Sequence, residues 1–121
     1  MQKNTIIAIG SVFGFLGVAF GAFGAHILKN NLTPELLDTF KTGVLYQLIH
    51  SIVIISIGFS GIQKYFKSVY FFIAGIALFS FALYIYSVFN VKIFAMFAPF
   101  GGASFMIGWI LLIIYSLKKD S

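Results

Sequence analysis

Residues 10–26 read GSVFGFLGVAFGAFGAH and place glycine at Gly10, Gly14, Gly17, Gly21 and Gly24. Steps of four and three residues alternate, so on a helix of about 3.6 residues per turn these glycines share one narrow stripe. Along such a stripe a neighbouring helix meets backbone rather than side chain, which is how small-residue repeats bring membrane helices close together. One Gly-x3-Gly pair is a weak signal, whereas rungs repeated in register point to a continuous helix contact. The partner is either another span of the same chain or a second copy. Within the chain, Gly101 and Gly108 lie one heptad apart and offer a complementary small face.

Composition sets the environment of this stripe. Of 121 residues, 60% are hydrophobic, 19% aromatic and only 9% charged. Four runs, 5–25, 43–61, 69–89 and 94–117, contain no Lys, Arg, Asp or Glu. Each is long enough to cross a hydrocarbon core of roughly 30 Å. The first run exceeds a signal-peptide core of about 7 to 15 residues. It is expected to be a retained span, although Ala22 to Ala25 after Lys3 has the look of a cleavage site. The fold class expected is all-α, an integral membrane four-helix bundle forming a single domain.

The net charge of +5 does not point to nucleic acid. Its carriers are Lys3, Lys29, Lys41, Lys64, Lys67, Lys92, Lys118 and Lys119, all between the apolar runs or at the ends, where anionic lipid head groups attract them. Membrane lipids are thus the expected partners, with a homo-oligomer or a protein partner left open. Lys3, Lys64, Lys67, Lys118 and Lys119 fall on one side and Lys29, Lys41 and Lys92 on the other, so both termini are expected in the cytoplasm. The absence of cysteine excludes disulfides, thiol catalysis and cysteine-ligated metal.

Two connecting regions carry local signals. Thr33-Pro34 reads as an N-cap followed by proline at the first helical position. Leu36, Leu37, Phe40 and Val44 recur at helical spacing opposite Glu35, Asp38 and Lys41. Segment 33–42 is therefore expected either as a short amphipathic helix on the outer membrane surface or as a helical connector. Pro99 either kinks the fourth span or starts it.

With that topology the polar side chains collect toward the outer leaflet. His26 closes the first span, Gln47 and His50 lie one to two turns into the second, and Ser80, Tyr84 and Ser87 occupy the matching half of the third. Gly101, Gly102 and Ser104 lie in the fourth. Glutamine and histidine are costly against lipid, so they are expected to face inward and find partners. Three readings follow: a polar cluster of His26, Gln47, His50, Tyr84, Ser87, Gly101 and Gly102 that locks the bundle; a small pocket or permeation path for a proton or solute along Gln47 and His50; or a haem or zinc site using His26 and His50, with Glu35 or Asp38 as a carboxylate ligand. No close ligand spacing supports the last, so no cofactor or metal is expected. Catalysis has no motif either: no carboxylate pair within a span, no nucleophile elbow, no Walker loop and no His-Glu-x-x-His. His50-Ser51 is no dyad, because adjacent helical residues point in different directions.

Three blocks also carry a resemblance. They are Gly21-Ala22-Phe23-Gly24-Ala25-His26, then Phe40 with Thr42-Gly43-Val44, Tyr46-Gln47 and His50, then Pro99 with Gly101-Gly102, Phe105 and Gly108-Trp109. In these the chain resembles the domain of unknown function 423 family, the YgdD-like and YwdK-like small four-span membrane proteins. The resemblance implies an integral bacterial plasma-membrane protein with no established biochemical activity. One departure stands in the third span, where Phe81-Ala82 replaces the family's frequent Gly-Ser.

Overall fold

Residues at the turns divide the chain into four helices. In the computed structural model, which describes residues 1–119, these are α1 (Lys3–Leu28), α2 (Pro34–Ser60), α3 (Gln63–Phe89) and α4 (Lys92–Leu117). Each is long and apolar enough to span a membrane, and no strand occurs among the described residues. Gly61 ends α2 and Asn90 ends α3, both in the left-handed conformation that glycine and asparagine tolerate best.

The glycine stripe of α1 packs on α2 within the same chain. A Cβ built on Gly10 would meet Ile55 and Ile54, one on Gly14 would meet Ser51, and one on Gly17 would meet Leu48 and Gln47. Gly21 faces Val44 and Gly24 faces the Phe40 ring. Successive rungs thus meet α2 residues in descending order, as two antiparallel helices in continuous contact require. Gly101 and Gly108 do not face this stripe. They pack against α3, Gly101 on the backbone of Leu78 and Phe79, and Gly108 on the Phe72 ring. Phe105 in turn fills the space that Gly75 leaves on α3. The molecule is therefore built from two helical hairpins, α1–α2 and α3–α4, closed by large rings seated on glycines.

Segment 33–42 is not a separate surface helix. Thr33 caps it, its Oγ1 accepting from the Leu36 amide at 3.2 Å, and Pro34 opens α2, which then runs unbroken to Ser60. No breaker interrupts it, and the Thr39 and Thr42 hydroxyls donate to the carbonyls of Glu35 and Asp38 within the helix. The apolar face turns into the protein: Phe40 and Val44 are buried against the end of α1, while Glu35, Asp38 and Lys41 are exposed. Intramolecular glycine sites thus take the face assigned to the membrane surface. At about 1.5 Å per residue α2 extends ~40 Å, longer than a hydrocarbon core, so it tilts or projects beyond it.

Pro99 sits in the first turn of the helix Ala98–Leu117, where its missing N–H costs nothing. The preceding piece, Lys92–Ala95, is joined to it through a turn at Met96 and Phe97. Helix α1 widens to π geometry over Phe20–Gly24 and α3 over Ile76–Phe81. The α3 segment includes the backbone on which Gly101 rests.

Two apolar clusters fill the interior. Ile6, Ile54, Ile57, Phe66, Val69, Phe72, Ile76 and Phe105 form one, toward the termini. Ala25, Phe40, Val44 and Tyr84 form the other, toward the loops that follow α1 and α3. Between them, at the middle of α2, lie Gln47, His50 and Ser51.

Candidate functional site: the buried polar layer

Gln47 is fully buried, and its amide is engaged at both ends. Nε2 donates to the Phe13 carbonyl of α1 at 2.8 Å, and Oε1 accepts from the Tyr84 hydroxyl of α3 at 2.6 Å. A carbonyl accepts and a phenol here donates, so only one orientation of the amide satisfies both partners. One side chain on α2 thereby ties three helices together. Tyr84 is positioned by Gly43, where a Cβ would come within 2.8 Å of its ring. The rings of Phe20, Phe40 and Phe81 pack around it with centroids 4.9 to 5.8 Å away. Phe81 also reaches Phe13 of α1, so the bulk at this position serves as a diagonal contact.

One turn further, His50 makes a second link. Its Nδ1 lies 2.7 Å from the Tyr46 carbonyl, and Trp109 Nε1 of α4 donates to its Nε2 at 3.1 Å. A carbonyl needs a donor and an indole N–H needs an acceptor, so the ring carries its single proton on Nδ1. The imidazole lies flat on Phe105, with centroids 3.7 Å apart and planes at 11°. Since Trp109 is the chain's single tryptophan, its emission reports this bond. Replacing His50 with phenylalanine keeps a ring on Phe105 and removes the acceptor. The emission maximum of His50→Phe is expected to shift to shorter wavelength, and an unchanged spectrum would contradict the bond.

The remaining cluster residues, and the serines at the same depth, divide. Ser87 is buried but donates to the Tyr84 carbonyl of its own helix at 3.1 Å. Ser104 donates to the Phe71 carbonyl at 2.7 Å and so links α4 to α3. Ser80 is buried, with no hydrogen-bond partner for its hydroxyl among the described residues. Gly101 is a packing position, whereas a Cβ on Gly102 would meet nothing within 4 Å. Gly102 instead lines a recess of about 460 Å³ together with Tyr46 and His50 of α2, Phe79 of α3 and Phe105, Met106 and Trp109 of α4.

His26 does not join the cluster. It is exposed on α1. Gly14 lies beside Ser51, next to His50, and His26 is a dozen residues further along α1, about 18 Å of helix rise. The two histidines therefore cannot share a zinc or haem iron, and among the described residues no group of three potential ligands converges. Two partners were not among the candidate residues. The Phe13 carbonyl has no side-chain signature, and Trp109 entered only in the Gly108-Trp109 block of the family resemblance.

Four apolar helices around a polar layer define a multi-pass membrane protein of the four-helix-bundle class. Residues 20–102 match the family described as Protein of unknown function (DUF423), and the chain belongs to that family. Its relatives are small membrane proteins too. The chain is 35% identical to the UPF0382 membrane protein YwdK of Bacillus subtilis, over 95% of this chain and 98% of that one. It is 31% identical to the UPF0382 inner membrane protein YgdD of Escherichia coli K12, over 98% and 93%. A UPF0382 membrane protein of Haemophilus influenzae is 34% identical over 99% of both chains. No solved structure matches. The protein is thus a multi-pass bacterial membrane protein of a family without assigned activity.

Proposed function

We propose that this protein is a non-enzymatic membrane component in which the central polar layer is a lock on the bundle, contacts with lipid or a protein partner being made from its outer faces. The observation that carries this reading is the Gln47 amide, whose two ends are engaged by α1 and α3. A side chain held that way has one register available to it and little capacity left for a solute. His50 supports the same reading, because both of its ring nitrogens have partners inside the protein.

A permeation path along Gln47 and His50 needs polar groups that continue toward both faces. Here the layer is bounded by the Ile54–Phe72 cluster on one side and the Phe40–Tyr84 cluster on the other. Proteoliposomes holding the protein are expected to pass protons and small solutes no faster than empty liposomes under imposed gradients. Flux above that background, abolished by Gln47→Leu, would overturn the lock in favour of a path.

A further inference from the structure

Rings from three helices line the recess beside the polar layer. Tyr46 and His50 come from α2, Phe79 from α3, and Phe105 and Trp109 from α4, all within about two turns of the middle of their spans. They form one continuous set. Tyr46 lies 4.6 Å from Phe79 and 6.2 Å from Phe105 between ring centres, Phe105 carries the His50 imidazole flat on its face, and Trp109 meets His50 edge-on at 5.8 Å. His50 and Phe105 are each 4% exposed and sit deep, whereas Tyr46 and Trp109, at 39% and 42%, stand near the opening.

Gly102 gives the recess its depth. Among the glycines of the four helices it is the one whose added Cβ would meet nothing within 4 Å. Elsewhere a ring of the protein fills such a notch: Phe40 on Gly24, Tyr84 on Gly43, Phe105 on Gly75 and Phe72 on Gly108. At Gly102 no ring of the described residues does so, and about 460 Å³ lies beside it, within the roughly 300 to 1,000 Å³ of small-molecule sites. The Trp109 N–H is committed to His50, but the Tyr46 hydroxyl has no hydrogen-bond partner among the described residues.

We propose that this recess binds the head ring of a lipid-soluble quinone, with its flat face on the rings of α4 and a ring carbonyl accepting from the Tyr46 hydroxyl. Position selects the phase the ligand comes from, because a recess at mid-span is reached through hydrocarbon and so disfavours charged solutes. The lining selects its shape. Aromatic faces carry negative charge density and stack, offset, on a flat ring of the opposite character. A quinone ring is electron-poor, and it brings the carbonyl acceptor that the Tyr46 hydroxyl lacks. An acyl chain gains as much from an aliphatic wall, such as Ile52, Ile57 and Leu112 provide nearer the termini. A single side chain from a second copy would fill only part of the volume. Both His50 nitrogens keep their partners and Gln47 takes no part, so the site holds or fails independently of the lock.

Trp109 lines the recess and is the single tryptophan, so its emission reports a bound quinone, an efficient quencher of indole fluorescence. Decylubiquinone titrated into the full chain in lipid nanodiscs is expected to quench it saturably. Gly102→Phe puts the chain's own ring into the recess and should weaken binding by about an order of magnitude. Tyr46→Phe removes one oxygen and should weaken it several-fold, which tests the site even where the larger Gly102→Phe substitution perturbs folding. Farnesol, an apolar tail without the ring, should not compete. Quenching that grows linearly with quinone, or saturable binding unchanged in both variants, would overturn the proposal as collision in the bilayer. Competition by farnesol would overturn it in favour of a lipid tail. A dimer of the parent in native mass spectrometry that Gly102→Phe splits, with no quinone bound, would overturn it in favour of a second copy.

Discussion

Replacing Gln47 with leucine is expected to destabilise the protein by about 2 kcal/mol in detergent, although leucine is the more hydrophobic residue. Hydrogen bonds between membrane helices contribute about 0.6 kcal/mol on average and up to ~1.7. This substitution removes two of them, to the Phe13 carbonyl and from the Tyr84 hydroxyl. It also leaves that hydroxyl buried without an acceptor, which costs roughly 1 to 3 kcal/mol in protein interiors. Leucine fills most of the space, so the effect reports hydrogen bonding rather than a cavity. Thermal or denaturant unfolding in micelles measures it. An unchanged or raised midpoint for Gln47→Leu would mean that the amide is not there to hold the helices.

The second large effect is a single methyl group at Gly101. A Cβ there would land on the backbone of Leu78 and Phe79, and backbone atoms cannot turn aside as a side-chain tip can. Helices α3 and α4 would have to separate locally, loosening Phe105 from Gly75 and, through Phe105, the stacked His50 ring. Overpacking of this kind costs typically 1 to 3 kcal/mol, about, and Gly101→Ala is expected toward the upper end. The adjacent Gly102→Ala is the control. Its Cβ would meet nothing within 4 Å, and alanine is favoured over glycine in a helix by about 0.8 to 1.0 kcal/mol. Gly102→Ala should therefore leave the melting midpoint unchanged or raise it. Equal midpoints for the two variants would show that the close contact at Gly101 does not constrain the bundle.

Much of this architecture was legible in the sequence because its strongest signals are local. The four apolar runs and the Thr33-Pro34 start depend on residues within one helix. Partner choice is different in kind. The spacing of Gly10 to Gly24 states that something approaches closely, but Gly101 and Gly108 have the same small surface and belong to another interface. What separates the two is what each glycine meets: side chains of α2 from Ile55 to Phe40 along the α1 stripe, but the Leu78 and Phe79 backbone at Gly101 and the Phe72 ring at Gly108.

The polar cluster was legible by composition and only partly by geometry. Gln47 and Tyr84 come together as helix depth suggests, and His50 faces inward as its cost in lipid requires. His26 has the residue type without the position, since α1 carries it past the Phe40 contact at Gly24 and onto the exposed surface. Segment 33–42 has amphipathic spacing, but spacing cannot tell a membrane surface from a glycine-lined neighbour. Phe40 and Val44 found the neighbour.

The most direct test of the lock is a double-mutant cycle between Gln47 and Tyr84, with unfolding free energies measured for the parent, Gln47→Leu, Tyr84→Phe and the double variant. Contact between these side chains across α2 and α3 predicts a coupling of about 1 kcal/mol, so that the double variant loses less than the sum of the single losses. Strictly additive losses would contradict it, because they would mean that the two groups do not hold one another.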